Sequence, residues 1–186
     1  MKPNIQVILG SIREGRAGEQ VAKWFMEAVK DNQNAELELV DLYRYPMPLF
    51  ADSNAVRHRE GAHPIPAVQK WVDKIAAADG YIIITPEYNH SYPSALKNAI
   101  DYTYKDWNNK PVGFVAYGGM AGGSRAIEHL RQVAGELQMY DVRDQVLIPA
   151  VWQAFDKEGK LANAESLAKT ANSIVDKVAE LALKLH

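Results

Sequence analysis

Ser11, Arg13 and Arg16 share one short loop, entered from the aliphatic run Ile5 to Leu9 through Gly10 and punctuated by Gly15 and Gly18. A hydroxyl, two guanidinium forks and backbone N–H groups gathered where a strand gives way to a helix suit a phosphate. The loop has neither the Lys-Ser/Thr ending of a P-loop nor the G-x-G-x-x-G spacing of a dinucleotide fold, so these residues specify an anion site and not which anion. A solvated turn whose arginines pair with Glu14 or Glu19 is the other reading they allow.

Two further loops carry chemistry. Pro86-Glu87-Tyr88-Asn89-His90 places an aromatic ring, an amide and several backbone groups directly after the most apolar strand of the chain, an inventory that suits the edge and face of a planar heterocycle. Tyr117-Gly118-Gly119-Met120-Ala121-Gly122-Gly123-Ser124 is rich in glycine, which lets backbone approach a ligand closely. N–H donors there would meet negative charge on a reduced ring.

The elements that must position these loops follow from periodicity. Ile5 to Leu9, Glu36 to Leu42, Gly80 to Thr85, Val112 to Tyr117 and Gln145 to Ile148 read as strands, most of them nearly continuous apolar runs of the kind covered on both faces. Between them, Val21, Trp24, Phe25, Ala28 and Val29 make one helical stripe. Val68, Trp71, Val72, Ile75 and Ala76 make a second, and Ala95, Leu96, Ala99, Ile100 and Thr103 a third. Ile127, Leu130, Ala134 and Leu137 mark a fourth helix, and a long last one carries Leu167 to Leu185.

Strictly alternating strands and helices call for a parallel sheet with right-handed crossovers. The expectation is therefore α/β: a flavodoxin-like three-layer sandwich, with a five-stranded parallel sheet in order 2-1-3-4-5 and helices on both faces. Ligands of such sheets bind outside the strand carboxyl ends at the switch point between strands one and three. All three loaded loops converge there.

Tyr43 to Pro66 has four prolines and no period; so long a structureless stretch suggests a lid or a partner-facing loop. Its Arg57-His58-Arg59 run offers charge for a 2′-phosphate, or is simply solvated.

With 186 residues, 47% of them hydrophobic, the chain is expected to fold as one domain, 1–186. A net charge of −2 argues against nucleic acid and anionic membrane surfaces as partners. The absence of cysteine removes disulfides, zinc ribbons, iron-sulfur clusters and thiol nucleophiles. No metal site is expected, and any redox chemistry must sit on a bound cofactor. No apolar run approaches the ~18 residues of a membrane span, so a cytoplasmic protein is expected.

Gly10-Ser11-x-Arg13, then Pro86-Glu87-Tyr88-Asn89-His90-Ser91-x-Pro93-x-Ala95-Leu96-Lys97-Asn98-Ala99-Ile100-Asp101, then Tyr117-Gly118-Gly119 together resemble the NAD(P)H-dependent FMN reductase family, which includes quinone, chromate and azo reductases. The resemblance covers strands one to four. It implies FMN and NAD(P)H as cofactors, with Ser11 and Arg13 on the FMN phosphate. Pro86, Glu87, Tyr88 and Asn89 would line the isoalloxazine largely through backbone atoms, and Tyr117, Gly118 and Gly119 would meet its other edge. Gly18 closes the phosphate loop. Arg16 departs from the family pattern, in which a small polar residue is common; it is expected to add charge at the phosphate, or to reach a dimer partner. His90 is left outside this set.

In such an enzyme NAD(P)H reduces the flavin and leaves, and a quinone, azo compound, free flavin or metal ion takes the electrons in the same place. That ping-pong cycle demands no nucleophile or general base, so no catalytic residue is named. The competing class is a flavodoxin-type electron carrier, disfavoured by the near-neutral charge and the arginines of the first loop. A third class is a scaffold that has lost its flavin, which a colourless protein even after added FMN would reveal.

Relatives of this kind are homodimers or homotetramers. The stretch Ala51 to Pro66, the helix Ala95 to Tyr104 and the aromatic side chains Tyr102, Tyr104 and Trp107 are the surfaces expected to meet a partner, unless those rings pack under neighbouring loops.

Overall fold

The computed structural model describes residues 1–53 and 55–185; Asn54, inside the stretch Ala51 to Pro66, and His186 lie outside it. Five strands, β1 (Asn4–Leu9), β2 (Glu36–Asp41), β3 (Gly80–Pro86), β4 (Pro111–Tyr117) and β5 (Tyr140–Ile148), form one sheet in the order β2-β1-β3-β4-β5. Every pairing is parallel. The anticipated flavodoxin-like order is thus the observed one.

The central strands serve two cores at once because successive side chains point to opposite faces. Ile82 and Ile84 of β3 join Ile5, Val7 and Leu9 beneath α1 (Gly18–Ala28) and α6 (Ala164–Leu185). Tyr81 and Ile83 face α2 (Pro66–Ala76), α3 (Ser94–Asp101) and α4 (Ser124–Glu136). β1, β3 and β4 are each buried almost end to end, which is why the sequence shows runs and not alternation.

Three expectations are corrected. β5 is longer than Gln145 to Ile148 and starts at Tyr140, with a register shift against Val112 and Phe114. It is an edge strand whose first half exposes Tyr140, Asp141 and Arg143, and Arg131 of α4 donates to the Val142 and Arg143 carbonyls. Side-chain pattern alone hides such a strand. A four-residue helix, α5 (Val151–Ala154), follows it and was not anticipated.

Of the two readings of the stretch from Tyr43 to Pro66, the lid is not realised: none of its described residues lines the cleft at the strand carboxyl ends. The stretch lies on α3, where Asn98 donates to the Pro48 carbonyl at 2.8 Å and accepts from the Phe50 N–H at 2.7 Å. Tyr102 also donates to Pro48, at 3.0 Å. Arg59 and His63 both pair with Asp52, which folds the segment on itself.

Tyr102 and Trp107, read as surface, are each 1% exposed. Trp107 packs on Tyr81 with ring centroids 4.7 Å apart and donates to the Ile100 carbonyl, while Trp71 donates to the Ala99 carbonyl at 2.8 Å. Both indoles find a polar partner at the end of α3, and Tyr102 finds one in the Pro48 carbonyl, the usual condition for burying such rings. Tyr104 alone of the three is partly exposed.

Candidate functional site

β1 ends where Gly10 donates to the Ile84 carbonyl at 2.9 Å, which clamps the start of the first loop to the central strand. A Cβ on Gly10 would stand 2.9 Å from Leu96 Cδ2 and 3.3 Å from the Ile84 carbonyl oxygen, so glycine lets the loop pass close to β3 and α3 without displacing Leu96. Ser11 is fully buried and its hydroxyl meets that of Tyr88 at 2.9 Å. One short bond thus joins the loops after β1 and β3.

The two arginines of the first loop have different surroundings. Arg13 is exposed, its guanidinium 5.9 Å from the centroid of the Tyr88 ring. Arg16 is buried, its side chain 4% exposed. Its guanidinium donates to the Ser11 carbonyl, to Asp41 at 2.7 Å and to Glu19 at 3.1 Å. Burial works against its charge, but the two carboxylates overcome that and hold its pKa above the usual arginine value. Of the partners the sequence allowed, Glu19 is realised; Asp41, at the end of β2, was not foreseen.

The second loop is a tight reversal. Asn89 and His90 take φ of 49° and 68°, and Tyr88 and Ser91 exchange both backbone bonds, at 2.8 and 3.0 Å. Two successive left-handed residues inside such a pair make a type I′ turn, for which asparagine is well suited. Asn89 is exposed at its tip. Glu87 pairs with Arg125 at 2.6 Å and accepts from its backbone N–H at 3.2 Å, tying this turn to the start of α4.

The third loop leaves β4 at Tyr117 and turns through Gly122 and Gly123, the latter at φ 92°. A Cβ on Gly123 would stand 2.7 Å from the Tyr117 N, so the doubling-back requires glycine. Tyr117 is 4% exposed, and its hydroxyl, close to that of Ser11, makes no hydrogen bond of normal geometry among the described residues. It lies against Gly18, where a Cβ would collide with it. Burial, with Tyr88 beside it, pushes the phenol pKa well above its usual value, so it is a donor at any physiological pH.

These loops wall a cleft of about 720 Å³ at the carboxyl edge of the sheet, within the range of small-molecule sites. Eight of the expected residues line it: Arg13, Arg16, Pro86, Glu87, Tyr88, Tyr117, Gly118 and Gly119. Ser11, Gly18 and Asn89 do not; they set, respectively, the bond to Tyr88, the room for Tyr117 and the turn. The cleft has a further wall that sequence reasoning missed, made by Val151, Trp152, Phe155 and Asp156. The only sequence signal for it was an isolated Trp after Pro149, with no period to place it.

Among the described residues, no helix is long and apolar enough to cross a membrane.

The family model for NADPH-dependent FMN reductases matches residues 3–153. An NAD(P)H-dependent FMN reductase of Schizosaccharomyces pombe is 39% identical over 137 residues, covering 74% of this chain and 68% of that protein. The NAD(P)H:quinone oxidoreductase of Solanum tuberosum is 32% identical over 193 aligned residues, 99% of this chain and 96% of its own. Among solved structures, the flavoenzyme NAD(P)H:(acceptor) oxidoreductase FerB of Paracoccus denitrificans shares the fold, with a TM-score of 0.75 at 24% identity and 98% of each chain covered. With the match spanning β1 to β5 and taking in the loops after β1, β3 and β4, the chain belongs to the NADPH-dependent FMN reductase family.

Proposed function

We propose that this oxidoreductase binds FMN in the cleft and passes electrons from NAD(P)H to a small-molecule acceptor by a ping-pong cycle. The observation that carries the reading is the joint walling of one cleft by the loops after β1, β3 and β4 at the switch point. The residues present fit the cofactor. A buried phenol that makes no hydrogen bond of normal geometry among the described residues stands beside the N-terminal turn of α1, and that turn has no capping side chain of its own. A phosphate or ribityl oxygen placed there would satisfy both.

When bound, FMN supplies the hydride acceptance and electron delivery that no side chain of this chain offers. The chain's own part is positioning. Arg13, exposed at the cleft, would provide positive charge for the phosphate, and Ser11 would support the site through its bond to Tyr88. Arg16 holds the loop in shape from within and adds its field, while Gly18 leaves space for Tyr117. Pro86, Glu87 and Tyr88 would hold one edge of the ring system, on the turn that Asn89 shapes, and Tyr117, Gly118 and Gly119 the other. Glu87, paired with Arg125, ties the second loop to the start of α4, which follows the third.

A quinone, an azo compound, free flavin or a metal ion are the acceptor classes in view. The assembly proposed is a homodimer or homotetramer, the second copy covering the open side of the cleft; a monomer by light scattering at micromolar concentration would overturn it. The cycle is tested by titrating the apo chain with FMN and then mixing the loaded protein rapidly with NADPH or NADH. Fast reduction by either supports the enzyme. Slow reduction by both makes the protein an electron carrier, and no FMN binding sinks both readings.

A further inference from the structure

Trp152 is a large aromatic side chain that belongs to neither core. It is 67% exposed yet lines the cleft, whereas Met120 and Leu49, which are more exposed still, do not. We propose that Trp152 is a specificity-determining wall on which planar aromatic electron acceptors, quinones above all, stack as they enter the cleft. The inference rests on the flavoenzyme reading above and narrows its acceptor to one chemical class.

Its place is set by backbone, not by chance packing. Ala150 takes a left-handed φ of 45°, which turns the chain sharply out of β5. The Ala150 N–H then donates to the Gly119 carbonyl at 3.0 Å and the Val151 N–H to the Gly118 carbonyl at 3.1 Å. Those are the glycines of the third loop, so the first turn of α5 is pinned to one edge of the cleft. Trp152 Cη2 stands 3.9 Å from where a Cβ on Gly119 would be. A side chain on Gly119 would therefore enter the space between loop and indole.

The chemistry of the wall selects among the acceptors. Val151 and Phe155 continue the apolar surface. A flat π system gains from offset stacking on an indole and from the water it displaces. A compact hydrated metal oxyanion gains neither.

The test uses wild type, Trp152→Ala, Trp152→Gln and Trp152→Phe, with FMN affinity of each apo protein measured first by flavin fluorescence. A naphthol, planar but not reducible, is then titrated into the FMN-loaded proteins and followed by the flavin absorbance difference. Expected are an FMN Kd changed by less than about twofold and a naphthol Kd raised about tenfold in the Ala and Gln variants but near wild type in Phe, the scale of one aromatic contact. In turnover, KM for a naphthoquinone should rise by the same factor at unchanged kcat while KM for ferricyanide stays put. An unchanged naphthol Kd, equal changes for quinone and ferricyanide, or an equal loss of FMN affinity each overturns the inference. Wild type that binds FMN alongside such a result leaves the proposed function standing; wild type that fails to bind FMN removes both.

Discussion

Arg16 Nη2 donates to Asp41 Oδ2 at 2.7 Å, joining the loop after β1 to the end of β2. The bond turns one of two neighbouring arginines inward and leaves the other, Arg13, exposed at the cleft. Like residues three positions apart thus have different surroundings, one held by carboxylates inside the loop and the other open to the cleft.

That division predicts opposite outcomes for two alanine variants. Arg13→Ala should weaken FMN binding by about 1 to 3 kcal/mol, the worth of a charge-assisted hydrogen bond, with unfolding midpoints essentially unmoved. Arg16→Ala should lower stability in urea by about 1 to 3 kcal/mol, because it strands the partly buried Asp41 and releases the Ser11 carbonyl. If Arg16→Ala unfolds like wild type, its ion pairs are ornamental.

Gly18→Ala should destabilise the chain by about 1 to 3 kcal/mol through collision with the Tyr117 hydroxyl and with Leu9 Cδ1, 2.8 Å away. Tyr117→Phe removes a buried hydroxyl that makes no hydrogen bond of normal geometry among the described residues. The apo protein should become more stable by about 1 kcal/mol, a rise of roughly 2 to 4 °C in Tm, while FMN affinity falls. Combining the two changes should recover part of the Gly18→Ala loss. A Tyr117→Phe protein that is less stable and binds FMN as before would mean that the hydroxyl serves the fold.

Asn89 sits at φ 49° on the turn and outside the cleft lining. Asn89→Gly should keep both stability, within about 0.5 kcal/mol, and FMN affinity, whereas Asn89→Val should cost about 1 to 2 kcal/mol from strain at positive φ. Loss of FMN binding in Asn89→Gly, measured by fluorescence titration, would show that the amide itself touches the cofactor.

Asp144 accepts from Lys177 at 2.6 Å and from Ser173 at 2.9 Å, and the Lys177 bond, aided by Ser173, holds its carboxyl below the ordinary aspartate value. A carboxylate depressed in the folded state stabilises above its unfolded pKa of about 3.9 and loses that contribution as pH falls through the folded value. Asp144→Asn should therefore be less stable than wild type at pH 7, by no more than about 1 kcal/mol for so open a pair. The gap should narrow as pH falls below about 4; denaturation curves at pH 7 and pH 3 measure it, and a gap as large at pH 3 as at pH 7 refutes the assignment.

What the sequence determined by itself was whatever depends on local pattern. Apolar runs such as Tyr81 to Ile84 can only be strands buried on both faces, alternation with helical stripes forces a parallel sheet, and glycine clusters mark the loops at its edge. Together these located the cleft and eight of its lining residues. Tertiary structure decided which partner each of these side chains finds. Arg16 and Asp41 are distant in sequence, and only the pairing of β1 with β2 brings the end of one strand beside the loop after the other. Tyr102 and Trp107 looked like interface because nothing local shows that the Pro48 carbonyl and the end of α3 wait to receive them. Trp152 carries no period at all; it belongs to the site because Ala150 and Val151 bond to the backbone of Gly119 and Gly118. Side-chain burial and backbone pairing across the sheet are sums over the whole chain, and a local window holds only one side of each.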